Sequence, residues 1–264
     1  MLTVTSAQLD AWLGAFVWPF VRFLALISTA PVLSHRSLPT RVKIALAAGA
    51  AMLIAPTLPP PPAIAVGSGA GLWLLVQQLM IGAAIGFAMR VVTATVTAAG
   101  DYAGMQMGLS FAQLISPGAD SASTALARLL EMFALLIFLS LDGHLRLLGT
   151  LADSFRTLPL DPAAAPMFNA GAWRLLADWG ASVFWAGLML ALPVVAALLI
   201  ANLALGILNR AAPQVGVFQV GFAITLLVGL LMLDLMLPSA GPFVAGLFDN
   251  GFGMAERVLG AMAR

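Results

Sequence analysis

The sequence predicts an all-α membrane protein, and three observations support this fold class. First, 61% of the 264 residues are hydrophobic and 9% are charged, whereas a soluble domain carries about a quarter charged residues. Second, apolar runs recur along the chain, and about 20 apolar residues suffice for a helix to cross the hydrocarbon core. Third, prolines stand inside several runs, where they bend or end a helix. We therefore expect one membrane domain over residues 1–264, built from bent, proline-broken helical hairpins.

Six apolar segments are candidates for membrane helices. In chain order they cover about 9–33, 44–58, 70–89, 125–141, 180–208 and 215–248, with a weaker stretch at 91–115. The second and fourth are short, so we expect them to lie inside an assembly or in hairpins rather than to span the bilayer. Arg90 directly follows the third segment. Pro193, Pro238 and Pro242 interrupt the last two, where we expect bends or breaks.

The charges in the loops predict an orientation in the membrane. The loop 34–43 carries three basic residues, whereas the proline-rich loop 56–71 carries no charge. Because basic loops stay in the cytoplasm, we expect three loops to be cytoplasmic, namely 34–43, 90–125 and 209–214. On the same rule, 56–71, 142–179 and both termini are external.

Charged residues inside apolar segments need partners, because an unpaired charge is costly at bilayer depth. Arg128 and Glu131 lie three positions apart, and on a helix they share a face, so we expect them to pair. Arg22, Asp101 and Asp234 have no evident partner nearby in the sequence. We expect these three to face a polar interior or to lie near an interface.

Glycines at intervals of four predict close helix contacts in the middle of the chain. They are Gly82 and Gly86, followed by Gly100, Gly104 and Gly108. This spacing places glycines on one helix face, where a neighbouring helix can approach the backbone. Two interpretations stay open: ordinary packing within a helical membrane protein, or tight packing against other subunits.

A methionine-rich stretch overlaps the last of these glycines and ends in the helix-breaking run SPGADSAS at 116–123. Methionine is flexible enough to fill gaps in a core or to seal against surfaces of varying shape. One interpretation is therefore core packing, and the other is a movable plug, since a narrow apolar ring blocks ions by dewetting. The candidate pore or plug residues are Met105, Gln106, Met107, Phe111, Ser116 and Pro117.

Catalytic patterns are missing from the sequence. The chain has no cysteine, and its two histidines, His35 and His144, lack metal-ligand spacing. There is no HExxH, no glycine-rich phosphate loop and no GxSxG. We expect no enzyme activity, which argues against an intramembrane protease, and we expect no cofactor and no metal site. A net charge of +1 gives no indication of nucleic-acid binding.

Four stretches together resemble the FliR family of flagellar type III secretion. The most specific is LALGILNRAAPQVGVFQVGFAI at 203–224. The others are VRFLALISTAPVLSHRSLPTRVKIALA at 21–47, AGMQMGLSFAQLISP at 103–117 and GHLRLLGTLADSFRTLPL at 143–160. The family usually has Asn where Gly216 stands and Pro where Ala223 stands, which leaves the helix geometry there open.

The resemblance implies a subunit of the flagellar export gate, in the bacterial inner membrane at the basal body. It implies assembly with FliP and FliQ, next to FlhB and membrane lipid, into a helical arrangement of hairpins that conducts unfolded flagellar proteins. The break at Arg210, Pro213 and Gln214 is then a sharp turn between two long hairpin arms, available for a partner contact. The homologous subunit of a virulence injectisome is the alternative. A small secondary transporter is a weaker one, because paired halves with matching buried charges are missing.

Overall fold

The computed structural model describes residues 6–35, 37–62, 64–110, 123–161, 169–211 and 217–263. Within these ranges it contains α-helices, a short 3₁₀ turn and no β-strand, which confirms the predicted all-α class. The helices are α1 (Ser6–Thr29), α2 (Thr40–Ile54), α3 (Gly69–Gln106), α4 (Ala125–Ser140), α5 (Gly143–Thr157), α6 (Ala170–Ala211) and α7 (Val217–Met262).

Five of the helices in the described ranges are long and apolar enough to cross a membrane: α1, α2 with its 3₁₀ turn, α3, α6 and α7. The prediction that the second segment is too short was wrong on length. Its helix begins at Thr40, before the apolar run, and the 3₁₀ turn Ala55–Thr57 completes an 18-residue stretch. The fourth segment forms α4, which has 16 residues and is not among the five.

Helix α3 differs most from the sequence-based expectation. The third apolar segment and most of the weaker stretch after it form a single helix of 38 residues. Arg90, which was expected to begin a cytoplasmic loop, lies inside this helix on an exposed position. At 1.5 Å per residue the helix is about 57 Å long, nearly twice the thickness of a hydrocarbon core of about 30 Å.

The prolines do not end the helices that contain them. α1 continues through Pro19, α6 through Pro193, and α7 through both Pro238 and Pro242. Each proline removes one backbone hydrogen bond, but ending a helix would expose several unpaired backbone groups. In apolar surroundings that alternative costs more, so the expected breaks at these positions were wrong, whereas the expected bends stay a prediction.

The helices contribute to two compact units, and α3, α6 and α7 each have residues in both. The first unit comprises Met1–Val91, Asp142–Gly180 and Asp249–Arg264. In it, α1 packs against α2 and also contacts α5. The indole N–H of Trp179 donates a 2.8 Å hydrogen bond to the carbonyl of Ala88, which joins α6 to α3. That residues 1–264 form one membrane domain stays a prediction.

The second unit comprises Val92–Leu141 and Ala181–Phe248. The rings of Phe138 and Phe248 lie 5.0 Å apart between α4 and α7. Helix α6 approaches α3 closely at Gly187, where an added Cβ would lie 3.1 Å from the Thr95 carbonyl oxygen. Much of the outer surface of α6 and α7 is apolar and exposed.

The ion pairs differ from the predicted one. Arg128 is exposed, and among the described residues no ion pair joins it to Glu131. Instead, Arg146 of α5 pairs with Asp249 of α7 at 2.6 Å, and the Arg146 guanidinium also lies 4.2 Å from the ring centre of Phe252. Spacing along one helix suggested a local pair, whereas the observed pair joins two helices in the first unit.

Candidate functional site

The candidate gate stretch, which is residues 105–117 with the candidate pore or plug residues, begins where helix α3 ends. The N–H of Leu109 donates to the carbonyl of Gly104 at 2.9 Å, and the N–H of Gly108 donates to the carbonyl of Met105 at 3.1 Å. This pair of bonds is a Schellman motif, which needs a left-handed residue just after the helix. Gly108 supplies it with a φ of 82°. Gly108 was predicted on the helix face with Gly104, and the structure instead makes it the residue that stops the helix.

The two candidate methionines at this helix end have opposite environments. Met107 is 1% exposed, and its side chain packs against Gly229 of α7, where an added Cβ would lie 2.6 Å from it. The hydroxyl of Thr225 lies 3.4 Å from the Met107 carbonyl. Met105 is 53% exposed. In this conformation Met107 serves as core, and Met105 is the side chain available to a pore.

Gln106, between the two methionines, adds a polar contact to α6. The amide of Asn202 donates to its side-chain oxygen at 3.4 Å. Gln106 is half-buried. The end of α3 is therefore held by α6 on one side and by α7 through Met107 on the other.

The chain that follows the candidate gate stretch is fixed against the same helix at Thr124. The carboxylate of Asp101 accepts a 2.8 Å hydrogen bond from the backbone N–H of Thr124, and the Thr124 hydroxyl donates to the carbonyl of Gly100 at 3.3 Å. Thr124 also caps α4 by accepting from the N–H of Ala127 at 3.2 Å. Asp101, for which the sequence indicated no partner, is the residue that anchors this return.

The segment between these anchors thus starts and ends beside one turn of α3. An added Cβ at Gly104 would lie 2.6 Å from the Thr124 hydroxyl, so the two flanks are in direct contact. Phe111, Ser116 and Pro117 belong to 111–122, which lies outside the described residues. The plug assignment stays a prediction, with its two flanks located.

The other candidate glycines contact neighbours within the chain. A Cβ at Gly82 or Gly86 would collide with α1, at the Arg22 carbonyl and the Thr29 side chain respectively. A Cβ at Gly100 would collide with the backbone of Ala127 in α4. Packing within the chain therefore accounts for the glycine spacing, without a second subunit.

The segment between α6 and α7 carries the last group of predicted contact residues. Arg210 is exposed in the final turn of α6, where a cation complements the helix dipole. A Cβ on Gly221 of α7 would lie 3.8 Å from Leu205 of α6, so the helices return along each other as two arms of a hairpin. Pro213 and Gln214 lie outside the described residues.

A buried arginine forms a second polar site, in the first unit. Arg22 is 0% exposed, and its guanidinium donates to the Gln78 side-chain oxygen at 2.7 Å, to the Ser154 hydroxyl at 3.0 Å and to the Leu158 carbonyl at 3.0 Å. The ring of Phe155 covers it at 3.9 Å. Three helix regions are therefore tied together by one side chain.

The Arg22 site contains no carboxylate partner among the described residues. Neutral acceptors and an aromatic face satisfy the cation instead, because a buried charge needs hydrogen bonds and polarisable contacts to offset its lost hydration. Sequence reasoning found Arg22 but missed Gln78, which stands in an otherwise apolar run. Arg22 and Ser154 belong to two of the stretches that carry the family resemblance, and the structure brings them together.

Among the described residues, no three or more His, Asp or Glu side chains lie close enough together to bind a metal ion. His35 accepts a 3.2 Å hydrogen bond from the N–H of Ser37 in the loop after α1. His144 lies in the first turn of α5, and its Nδ1 has no partner there among the described residues. The two histidines therefore occupy separate local environments.

A known protein family matches most of the chain. The sequence profile of the family described as Bacterial export proteins, family 1, matches residues 13–251. The matched region includes the Arg22 site, the anchored end of α3 and the segment between α6 and α7.

Several curated proteins are similar over nearly the whole chain. A protein from Escherichia coli strain K12, named flagellar biosynthetic protein FliR, is 46% identical over 259 residues, which cover 98% of each chain. A protein of the same name from Pectobacterium carotovorum subsp. carotovorum is also 46% identical over 98% of each chain. The Bacillus subtilis strain 168 protein of that name is 30% identical, covering 83% of this chain and 84% of its own length.

Proposed function

The chain belongs to the FliR family of bacterial export proteins, and on that premise we propose that it is a subunit of the flagellar export gate. In this proposal it lies in the bacterial inner membrane at the basal body. It assembles with FliP and FliQ, next to FlhB, and the assembly passes unfolded flagellar proteins outward. The relatives described above carry flagellar names, which favours this system over the virulence injectisome.

The observation that carries the proposal is the anchored gate stretch. Asp101 and Thr124 fix one flank, and the Schellman turn at Gly108 fixes the other beside the same helix end. In this proposal the fixed flanks hold the candidate plug in place beside the surrounding helices. Met105 is exposed beside this frame.

The apolar outer surfaces support assembly with other proteins. α7 is long enough to span a membrane, yet only 11% of an apolar 18-residue window within it is buried in the chain. Such surface needs lipid or protein neighbours. We propose a structural and conducting role without catalysis, in which these faces are covered by partner subunits. Expressed alone, the chain should therefore aggregate or remain poorly stable in detergent.

The test is complementation of an Escherichia coli strain that lacks its own FliR. We expect this chain to restore swimming at least in part, because its relative there is 46% identical over almost its full length. We also expect an affinity-tagged copy to purify in detergent with FliP and FliQ as one large complex. A stable, monodisperse monomer that leaves FliP and FliQ behind, with no restored motility, would overturn the proposal.

A further inference from the structure

Asp234 occupies an unusual place in helix α7. It carries the only charge between Val217 and Phe248. At 1.5 Å per residue, it lies about 25 Å from Val217 and about 21 Å from Phe248. Asp234 is therefore close to the middle of a stretch that is long enough to cross a bilayer.

The surroundings of Asp234 on the helix surface are leucines. Residues three, four and seven positions away share its face, and four of these are leucines exposed by 48–68%. We call this surface the Asp234 face, which consists of Asp234, Leu227, Leu230, Leu231 and Leu237. Asp234 is itself exposed, and it makes no hydrogen bond or ion pair with the described residues.

Lipid is a poor occupant for this face. A carboxylate at the middle of an apolar helix would point into hydrocarbon, where ionisable groups are costly and are found facing protein or water. A second copy of the chain is also unfavourable. A two-fold contact centred on this face would place one Asp234 against the other, and like charges repel.

A partner helix that carries the opposite charge fits both the carboxylate and the leucines of this face. We propose that the Asp234 face binds a transmembrane helix of another export-gate subunit, which places a Lys or Arg against Asp234 and apolar side chains against the leucines. An interhelical ion pair satisfies the carboxylate, and the leucines exclude water and lipid around it. The identity of the partner as a gate subunit rests on the proposed function, whereas its chemistry rests on the face itself.

The experiment uses the whole chain, expressed in the membranes of the Escherichia coli strain that lacks its own FliR. A photo-activatable amino acid replaces Leu231, and adducts are identified by mass spectrometry. We expect one protein adduct, at a partner helix that contains a Lys or Arg near the attachment point. Asp234→Lys should reduce this adduct roughly tenfold or more, since it replaces attraction by repulsion. Exchanging the partner's cation for Asp should restore it.

Two variants control the interpretation. Asp153→Lys makes the same charge change at an exposed position of α5 and should leave the adduct unchanged. Asp234→Asn keeps the size of the side chain without its charge, so it should reduce the adduct less than Asp234→Lys does. If Asp234→Lys prevents membrane insertion, Asp234→Asn is the variant that tests the charge dependence of the adduct.

The outcomes separate this inference from the proposed function. An adduct unaffected by either Asp234 substitution, an adduct with lipid alone, or an adduct with a second copy would overturn the inference. If FliP and FliQ still purify with the chain in that case, the proposed function stands. If they do not purify with it, but a charge-dependent adduct forms with another membrane protein, the proposed function fails and the docking surface stands.

Discussion

The guanidinium of Arg22 donates a 3.0 Å hydrogen bond to the hydroxyl of Ser154, a residue 132 positions away. The hydroxyl in turn donates a hydrogen bond to the carbonyl of Leu151 at 2.5 Å, within α5. Both residues are 0% exposed. This relationship joins α1 to α5 without any opposite charge, so it depends on well-formed hydrogen bonds from the cation to neutral acceptors.

Replacement of Arg22 should destabilise the protein even when the charge is kept. Arg22→Lys retains a cation but cannot reach Gln78, Ser154 and Leu158 together, because an ammonium lacks the planar fork. We expect a loss of about 1–3 kcal/mol for each acceptor left unpaired. The midpoint of thermal unfolding of the purified complex in detergent measures this loss of stability. Arg156→Lys, at an exposed position nearby, is the control. Equal midpoints for the two variants would contradict the structural role of Arg22.

Alanine at Gly86 should be harmful, whereas alanine at Gly206 should be harmless. A methyl group at Gly86 would collide with Thr29 of α1, but none of the described residues outside the same stretch of helix lies within 4 Å of such a group at Gly206. We expect Gly86→Ala to cost about 1–3 kcal/mol through overpacking. Gly206→Ala should stabilise α6 by about 0.5–1 kcal/mol. The measurement is the midpoint of thermal unfolding of each variant. Equal midpoints for Gly86→Ala and Gly206→Ala would show that α1 and α3 do not pack as described.

The anchor between Asp101 and Thr124 should depend on an acceptor and not on charge. Asp101→Ala leaves the N–H of Thr124 unpaired at the start of α4, at a cost of about 1–2 kcal/mol. Asp101→Asn retains an oxygen that can accept this bond and should cost much less. The measurement is limited proteolysis of membranes that contain each variant. We expect faster cleavage around the start of α4 in the alanine variant. Identical cleavage in both variants would refute the anchoring role.

Removal of the candidate plug should open a leak without loss of assembly. Deletion of residues 110–116 removes Phe111 and shortens a stretch whose flanks at Gly104 and Thr124 are already in contact. We expect the FliP- and FliQ-containing complex to form and the membrane to leak ions or small solutes. Intact assembly with unchanged leak would show that the segment is not the seal, and loss of assembly would favour the core interpretation.

The two methionines should respond differently in the same assay. Met107→Ala removes a buried side chain packed on Gly229 and should cost about 2–5 kcal/mol of stability. Met105→Ala changes an exposed side chain and should leave stability unchanged while raising the leak. A raised leak in stable Met107→Ala complexes, with none in Met105→Ala, would reverse this assignment.

The sequence alone determined the class of the protein and its family. Hydrophobic composition and the lengths of the apolar runs fix a helical membrane protein, since these quantities depend on local residue content and not on contacts. The glycines at intervals of four likewise predicted close helix approach, and four of the five lie at such contacts.

Only the tertiary structure decided the partners of the polar residues and the ends of the helices. Arg90 and the prolines looked like helix breaks, but continued backbone hydrogen bonding outweighs a single charge or a single lost bond in apolar surroundings. Arg22 found acceptors on α3 and around α5, and Asp101 found the start of α4, at sequence distances that no local spacing encodes. Gly108 shared the spacing of the packing glycines, yet its left-handed backbone, with a φ of 82°, makes it the residue that stops α3.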